Sequence, residues 1–231
     1  LSPDRQRKAF QAGNRTLNMK WDKLQAAGRT AVAGRQTLIL GSAPEPVIPS
    51  DYSHNWALIC VNGSGRIAAQ HGLATPDLTI FSAGALHRSA PANVEMRKVV
   101  AGMATKIALA RALSNNQLKL MWRSALARWM FQQVGYRYDR FGFAGPDEWT
   151  PVIAAAIAPQ PVDRAHDISN GVFCCLLADY LGAAGIHVAG INPQSKGHAY
   201  SALNLPRSHA TSDAAILQLL KDKGRTTIYL A

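Results

Sequence analysis

The sequence predicts an α/β domain, a mostly parallel sheet flanked by helices, and three observations predict it. Strand-length apolar runs (TLIL, WALICVN, DLTIF, IHVAGIN, TTIYLA) alternate with stretches of helical periodicity. Small polar loops follow the runs, GSAP, NGSG, SAGALH and NPQSKGHAY, as expected where a parallel sheet presents the carboxyl ends of its strands to a ligand. At 231 residues and 48% hydrophobic, the chain can close one core of ordinary size and not two large ones.

The elements follow in chain order. Residues 1–35 are basic and helix-permissive, and KWDKLQAAGR has amphipathic helical spacing, so one or two helices precede the first strand. Strands are predicted at 37–40, 56–62 and 77–81, with GRIAAQHG as a short crossover helix between the last two. VEMRKVVAG (94–102) reads as a weaker fourth strand. From Lys106 to about Trp129 the pattern is helical, broken at Ser114-Asn115-Asn116, and leads into the aromatic, Gly-rich YRYDRFGFAGPDEW. GVFCCLLADYLGAAG (171–185) reads as an apolar helix closed by Gly and IHVAGIN (186–192) as a strand. SDAAILQLLKDKG (212–224) is a helix that starts on Asp and stops on Gly, and TTIYLA (226–231) a last strand. Together these predict a single Rossmann-like domain over 1–231, with a helical basic insertion or lid over 103–165.

A formal charge of +11 implies an anionic partner. The positive charge is concentrated between Arg97 and Arg140, which hold nine basic residues and one acidic, Asp139. Lys and Arg interleaved there with Leu, Met and Trp read either as a surface drawn to anionic lipid or as a solvated basic helix face. No nucleic-acid reading module accompanies the charge, so no nucleic acid is expected. Cys60, Cys174 and Cys175 sit in apolar runs and fit neither a disulfide framework nor a zinc motif; reduced core thiols are expected. With no long uncharged apolar stretch and no leader pattern, the expectation is a cytoplasmic protein, peripheral at most on the inner face of the cytoplasmic membrane.

Four motifs in order carry a resemblance. SNGVFCCLLADYLGAAGIHVAGIN resembles the Ser-Gly-Val helix and following Gly-Ile-Asp strand of the bacterial lipooligosaccharide sialyltransferases, glycosyltransferase family 42, and HATSDAAILQLL resembles their catalytic His-x-x-x-Asp segment. LILGSAP stands where that family has a Gly-rich GNGPS loop, and ICVN where it has Cys-Asn after the second strand. The resemblance implies a CMP-sugar donor held by Gly41, Ser42, Ala43, Pro44, Asn62, Ser82, Asn170 and Gly171, with phosphate-binding positions at Gln194 and Tyr200 and a general base at His209. Ser42 stands where the family's loop has Asn, Asn170 where it has Ser, Gln194 where it has a second tyrosine, and Asn192 where its strand ends in Asp. The implied function is inverting transfer of a 2-keto sugar, sialic acid or Kdo-like, from the CMP-sugar to a glycan or lipid-linked glycan acceptor of the cell envelope.

The residues allow that chemistry. An imidazole such as His209 accepts a proton near neutral pH, and a loop ahead of a helix displays it; a solvated loop histidine is the plain alternative. Tyr200 can donate to a phosphate, with Lys196 or Arg207 nearby, or be a buried structural tyrosine. Asn62 offers an amide donor and acceptor, or is a turn residue of NGSG. GSAP can present backbone amides to a ligand because Gly and Ser are small, and also suits any tight turn. No Asp-x-Asp pair occurs and the remaining histidines lack ligand spacing, so neither a metal nor a cofactor is expected. Two other readings stand beside the transferase. One is a pterin pyrophosphokinase-like phosphotransferase, which has a similar first strand and Gly loop; the other is a catalytically inactive nucleotide-binding domain.

Overall fold

The computed structural model describes residues 19–86, 89–158, 168–193, 209–224 and 226–229. Seven strands form one sheet in the order β5-β4-β3-β2-β1-β6-β7, every neighbouring pair parallel. They are β1 Gln36–Leu40, β2 Ala57–Val61, β3 Leu78–Ser82, β4 Ala104–Arg111, β5 Arg137–Ala144, β6 Gly185–Ala189 and β7 Thr226–Tyr229. The helices are α1 Trp21–Val32, α2 Gly65–Gln70, α3 Pro91–Val99, α4 Gln117–Gln133, α5 Pro146–Ile157, α6 Asn170–Tyr180 and α7 Ala210–Asp222.

Side-chain alternation explains the layers. Ile39, Ile59, Ile80 and Leu109 face α1, α5, α6 and α7, while Leu38, Leu40, Leu58 and Cys60 face α2. Phe81, Ala108 and Ala110 pack instead against α3 and α4. Strands covered on both faces must be apolar throughout, which is why β2 buries all its residues. Helix α6 is buried from Gly171 to Ala178, as a helix wrapped on all sides must be. The three cysteines are free and buried, and burial pushes the Cys60 thiol up to about 12, so it is protonated at neutral pH.

The structure corrects the reading of residues 91–144. VEMRKVVAG is not a strand: Pro91 starts α3, and Met96 and Val100, one turn apart, are the buried pair. The fourth strand is Ala104–Arg111, taken from the front of the run that predicts a helix. Its Ala and Leu favour a helix, but beside β3 the stretch Ile107–Arg111 is wholly buried, and that packing overrides propensity. Ser114-Asn115-Asn116 does not interrupt a helix; Asn116 caps α4, its Oδ1 accepting from the Lys119 amide at 3.0 Å. YRYDRFGFAG holds β5, the last strand on this side of the sheet, whose Arg137, Asp139 and Arg140 are exposed and whose Phe141 carbonyl accepts from the Met19 amide at 3.1 Å. Residues 103–165 therefore supply two strands to the sheet as well as α4 and α5.

From β1 the chain moves one way through β2, β3, β4 and β5, then returns through α5 and α6 to β6 on the other side of β1. The direction reverses between β1 and β6, and in open α/β sheets the ligand crevice lies outside the carboxyl ends at such a point.

Candidate functional site

The two strand ends that flank this crevice touch through their main chains. The Gly41 amide donates to the Ala189 carbonyl and the Ala43 amide to the Gly190 carbonyl, both at 2.8 Å. A Cβ on Gly41 would fall 2.1 Å from the Gly190 oxygen, so only glycine allows the approach. This revises the expected role of GSAP: two of its amides bond to the protein's own carbonyls, and the smallness of Gly41 serves the joint between β1 and β6. Gly41, Ser42 and Ala43 are buried and Pro44 is exposed.

Beside the loop, Ser64 ties β1 to β2. Its Oγ donates to the Leu40 carbonyl at 2.6 Å and accepts from the Val61 amide at 2.8 Å. Asn62, directly after β2, is held at φ +51°, a conformation Asn tolerates better than most residues. Its Oδ1 accepts from the Ser82 amide at 3.1 Å, so the ends of β2 and β3 are joined by two of the expected donor-binding residues.

On the other side of the crevice stands the N-terminus of α6. Ser169 caps it, Oγ accepting from the Val172 amide at 3.3 Å, and Asn170 is its half-buried first residue. Gly171 is fitted against Ile191, where a Cβ would come within 3.0 Å of that side chain. The helix thus directs its positive end toward the carboxyl edge, where an anionic group is favoured.

His209 is the half-buried N-cap residue of α7, and its side chain does not cap the helix. Its carbonyl accepts from the Asp213 amide at 2.9 Å and from Ser212 Oγ at 3.2 Å. The buried Asp213 carboxylate accepts from the Ser169 amide at 2.9 Å, which fixes the start of α7 to the start of α6. Arg111, at the carboxyl end of β4, completes the cluster: its Nη1 donates to the Ile168 carbonyl at 2.9 Å. The guanidinium lies 4.5 Å from the Trp149 ring centroid and 4.9 Å from that of Phe173. Burial pulls its pKa down to about 10, opposed by Cys174 and Asp213, so it remains a cation at neutral pH.

Among the expected site residues, Gly41, Ser42, Ala43, Pro44, Asn62, Ser82, Asn170, Gly171 and His209 thus line one edge. Gln194 and Tyr200, with Lys196 and Arg207, lie outside the described residues. Sequence reasoning missed Ser64, Ser169 and Arg111 as organisers of this edge. Arg111 had been absorbed into the basic run, and only its strand position separates it from the solvent-facing bases. Among the described residues no group of three or more His, Cys, Asp or Glu side chains is placed to hold a metal ion.

Two open depressions, of about 470 and 350 Å³, lie away from this edge. One is lined by Gln36, Trp56, Gly185 and His187, the other by Arg35, Asp77, Lys106 and Arg140. The second holds ion pairs that pin strand starts: Asp77 accepts from Lys106 Nζ at 2.7 Å and from the Leu58 amide at 3.0 Å. Asp77, Lys106 and Arg35 are thereby engaged in the fold, whereas the expected site residues gather at the crevice between β1 and β6.

The architecture is an α/β fold of the Rossmann-like, doubly wound class, with its organised polar edge at the switch between β1 and β6. Solved structures with the same fold are bacterial sialyltransferases. The monofunctional α-2,3-sialyltransferase Cst-I of Campylobacter jejuni matches at 15% identity with a TM-score of 0.53, over 93% of this chain and 78% of that one. Sialyltransferase Cst-II in complex with a trisaccharide acceptor and CMP matches at 12% identity and a TM-score of 0.51, over 84% and 80%. CstII from Campylobacter jejuni with the substrate analogue CMP-3FNeuAc matches at 13% identity and a TM-score of 0.50, over 84% and 79%. No protein-family model and no curated protein matches the chain. At these identities the likeness is one of fold, the fold that the motif resemblance implied.

Proposed function

We propose that the protein is an inverting glycosyltransferase that moves a 2-keto sugar, sialic acid or Kdo-like, from a CMP-sugar to a glycan or lipid-linked glycan of the cell envelope. One observation carries the reading. Hydrogen bonds, close packing and the adjoining backbone connect Ser82 and Asn62, through Val61, Ser64 and Leu40, to Gly41, Gly190, Ile191 and Gly171 and on to Ser169, Asp213 and His209 along the carboxyl edge. They join the residues that the motifs assign to donor and base, in a fold whose solved examples include complexes with CMP and with an acceptor.

In this reading the nucleotide lies across the loop Gly41–Pro44, with Asn62 and Ser82 offering polar groups to the cytidine. The phosphate faces the N-terminus of α6 at Asn170 and Gly171, where backbone N–H groups and the helix dipole stabilise the charge that grows as CMP leaves. Gln194 and Tyr200 are assigned to the same phosphate. The acceptor hydroxyl oxygen attacks the anomeric carbon from the face opposite CMP. As that C–O bond forms, the bond to the phosphate oxygen breaks, its electron pair leaves with CMP, and the hydroxyl proton passes to His209. Asp213 donates its amide to the His209 carbonyl and accepts from the Ser169 amide, which links the position of the base to the start of the donor helix. No step requires a metal.

The test is calorimetry with CMP, CTP, ATP and GTP, followed by transfer assays in excess EDTA. CMP preference and EDTA-resistant transfer are expected. Preference for a triphosphate with Mg²⁺ would favour a phosphotransferase, and nucleotide binding without any transfer an inactive nucleotide-binding domain.

A further inference from the structure

Helix α4 is apolar on two opposite faces. Leu120, Ala127, Met130 and Phe131 face inward, and Phe131 is ringed by Phe81, Tyr136, Tyr138 and Phe141. Outward stand Leu118, Met121, Trp122 and Trp129, with 73%, 66%, 77% and 56% of their surface exposed. Their spacing, with exposed Ala125, is i, i+3, i+4, i+7 and i+11, which makes a single stripe on the solvent side. Leu113, 68% exposed, extends the patch toward the carboxyl end of β4. Isolated exposed apolar residues are ordinary; two tryptophans, a methionine and two leucines in one contiguous stripe mark an interaction surface.

Charge selects the occupant. Lys119 and Arg123 flank one side of the stripe on the helical wheel, Arg128 on the other side donates to Ser124 Oγ at 3.4 Å, and α4 has no Asp or Glu. An isologous, two-fold contact with a second copy would bring this face against itself and set these cations against the same cations, with no acid on the helix to answer them. A bilayer with anionic headgroups answers both features: acyl chains and glycerol backbones receive the apolar stripe, phosphates receive the flanking cations, and exposed indoles suit the interface.

We propose that α4 is a peripheral membrane anchor, which lies along an anionic lipid surface with Leu118, Met121, Trp122 and Trp129 buried among the headgroups and Lys119 and Arg123 paired with lipid phosphates. This locates the membrane contact on one helix face rather than on the whole run from Arg97 to Arg140. Because α4 starts just beyond the carboxyl end of β4, its N-terminus lies on the same edge of the sheet as the crevice. The proposal does not depend on the transferase reading, since the surface needs no nucleotide to bind.

The experiment is co-sedimentation of the full chain with vesicles of phosphatidylcholine alone or mixed with phosphatidylglycerol, over a salt series. Partition about tenfold or more stronger onto the mixed vesicles, falling as salt rises, is expected. The double variant Leu118→Glu, Trp122→Glu should lose that binding by about tenfold or more, and the charge variant Lys119→Gln, Arg123→Gln should lose most of the preference for phosphatidylglycerol. Circular dichroism confirms the fold of each variant; Trp122→Ser alone, at the most exposed position, serves if the double variant misfolds. Equal partition onto both vesicle types, or unchanged binding by folded variants, overturns the proposal. So does wild-type self-association that Trp122→Ser abolishes while vesicles bind neither protein, which would give the face to a second copy.

Discussion

The two edges of the sheet are built on opposite principles. At the amino edge, charges organise the strand starts: Asp77, buried, receives Lys106 and the Leu58 amide, and Arg35 lies 3.6 Å from the same carboxylate while donating to the carbonyls of Asn55 and Trp56. At the carboxyl edge the joints are main-chain bonds and small side chains, Gly41 against Gly190, Gly171 against Ile191, Ser64 across β1 and β2. The charges there, Arg111 and Asp213, are buried behind the edge and bond to the backbone that precedes α6. One edge spends its polar groups on the fold; the other keeps strand ends close and helix termini directed outward, which is what a ligand crevice requires.

The largest expected effect comes from breaking the glycine joint. Gly41→Val places a side chain into the Gly190 carbonyl, and we expect a loss of about 3 kcal/mol or more in stability together with loss of CMP binding, read by denaturant melts and calorimetry. A folded variant with unchanged CMP affinity would move the donor away from β1.

Next is His209→Ala. Transfer should fall about 100-fold, equivalent to about 2.7 kcal/mol of barrier, while CMP affinity and thermal midpoint stay near those of the parent. Asp77→Ala should do the reverse, costing about 2 kcal/mol of stability by leaving the buried Leu58 amide unpaired, with the transfer rate per folded molecule unchanged. If Asp77→Ala slowed transfer in folded protein as much as His209→Ala, the division of labour between the edges would be wrong.

The smallest effect concerns pH. Desolvation lowers the His187 pKa, partly opposed by Asp51, while the ring bonds Gln36 and Tyr229 and lies against Trp56. The folded value is below the unfolded one, near 6.5, so as pH falls through about 6.5 the unfolded chain takes up a proton that the folded chain resists. Stability contributed by neutral His187 is therefore present above about 6.5 and declines below it, levelling once the folded imidazole also titrates. His187→Gln should remove part of the fall in melting temperature between about pH 8 and pH 5.5. An identical fall in both proteins would assign the dependence to other groups.

Legibility in the sequence tracked burial pattern and turn chemistry. β1, β2, β3, β6 and β7 are short apolar runs bounded by Gly, Pro or Asn, and the helices of the C-terminal third have a Gly stop or an Asp in the first turn; all fall where their patterns predict. β4 was hidden because Ala-Leu-Ala with Lys and Arg favours a helix, and β5 because an edge strand with Arg137, Asp139 and Arg140 outward looks like a loop. Within the candidate site, motif order assigns Asn62, Ser82, Gly171 and His209, and only the fold shows how they are placed relative to one another.

By itself the sequence determined the alternation of strands and helices, the small-residue loops after the strands, the buried thiols and the concentration of positive charge, because each is a local property of composition and spacing. Only the tertiary structure decided which of two helix-favouring runs became a strand, that Gly41 is required by the carbonyl of Gly190, far along the chain, rather than by its own turn, and that α4 turns two tryptophans to solvent. The physical reason is common to all three: burial depends on what packs across from a residue, and partners distant in the chain leave no mark on the spacing of near ones.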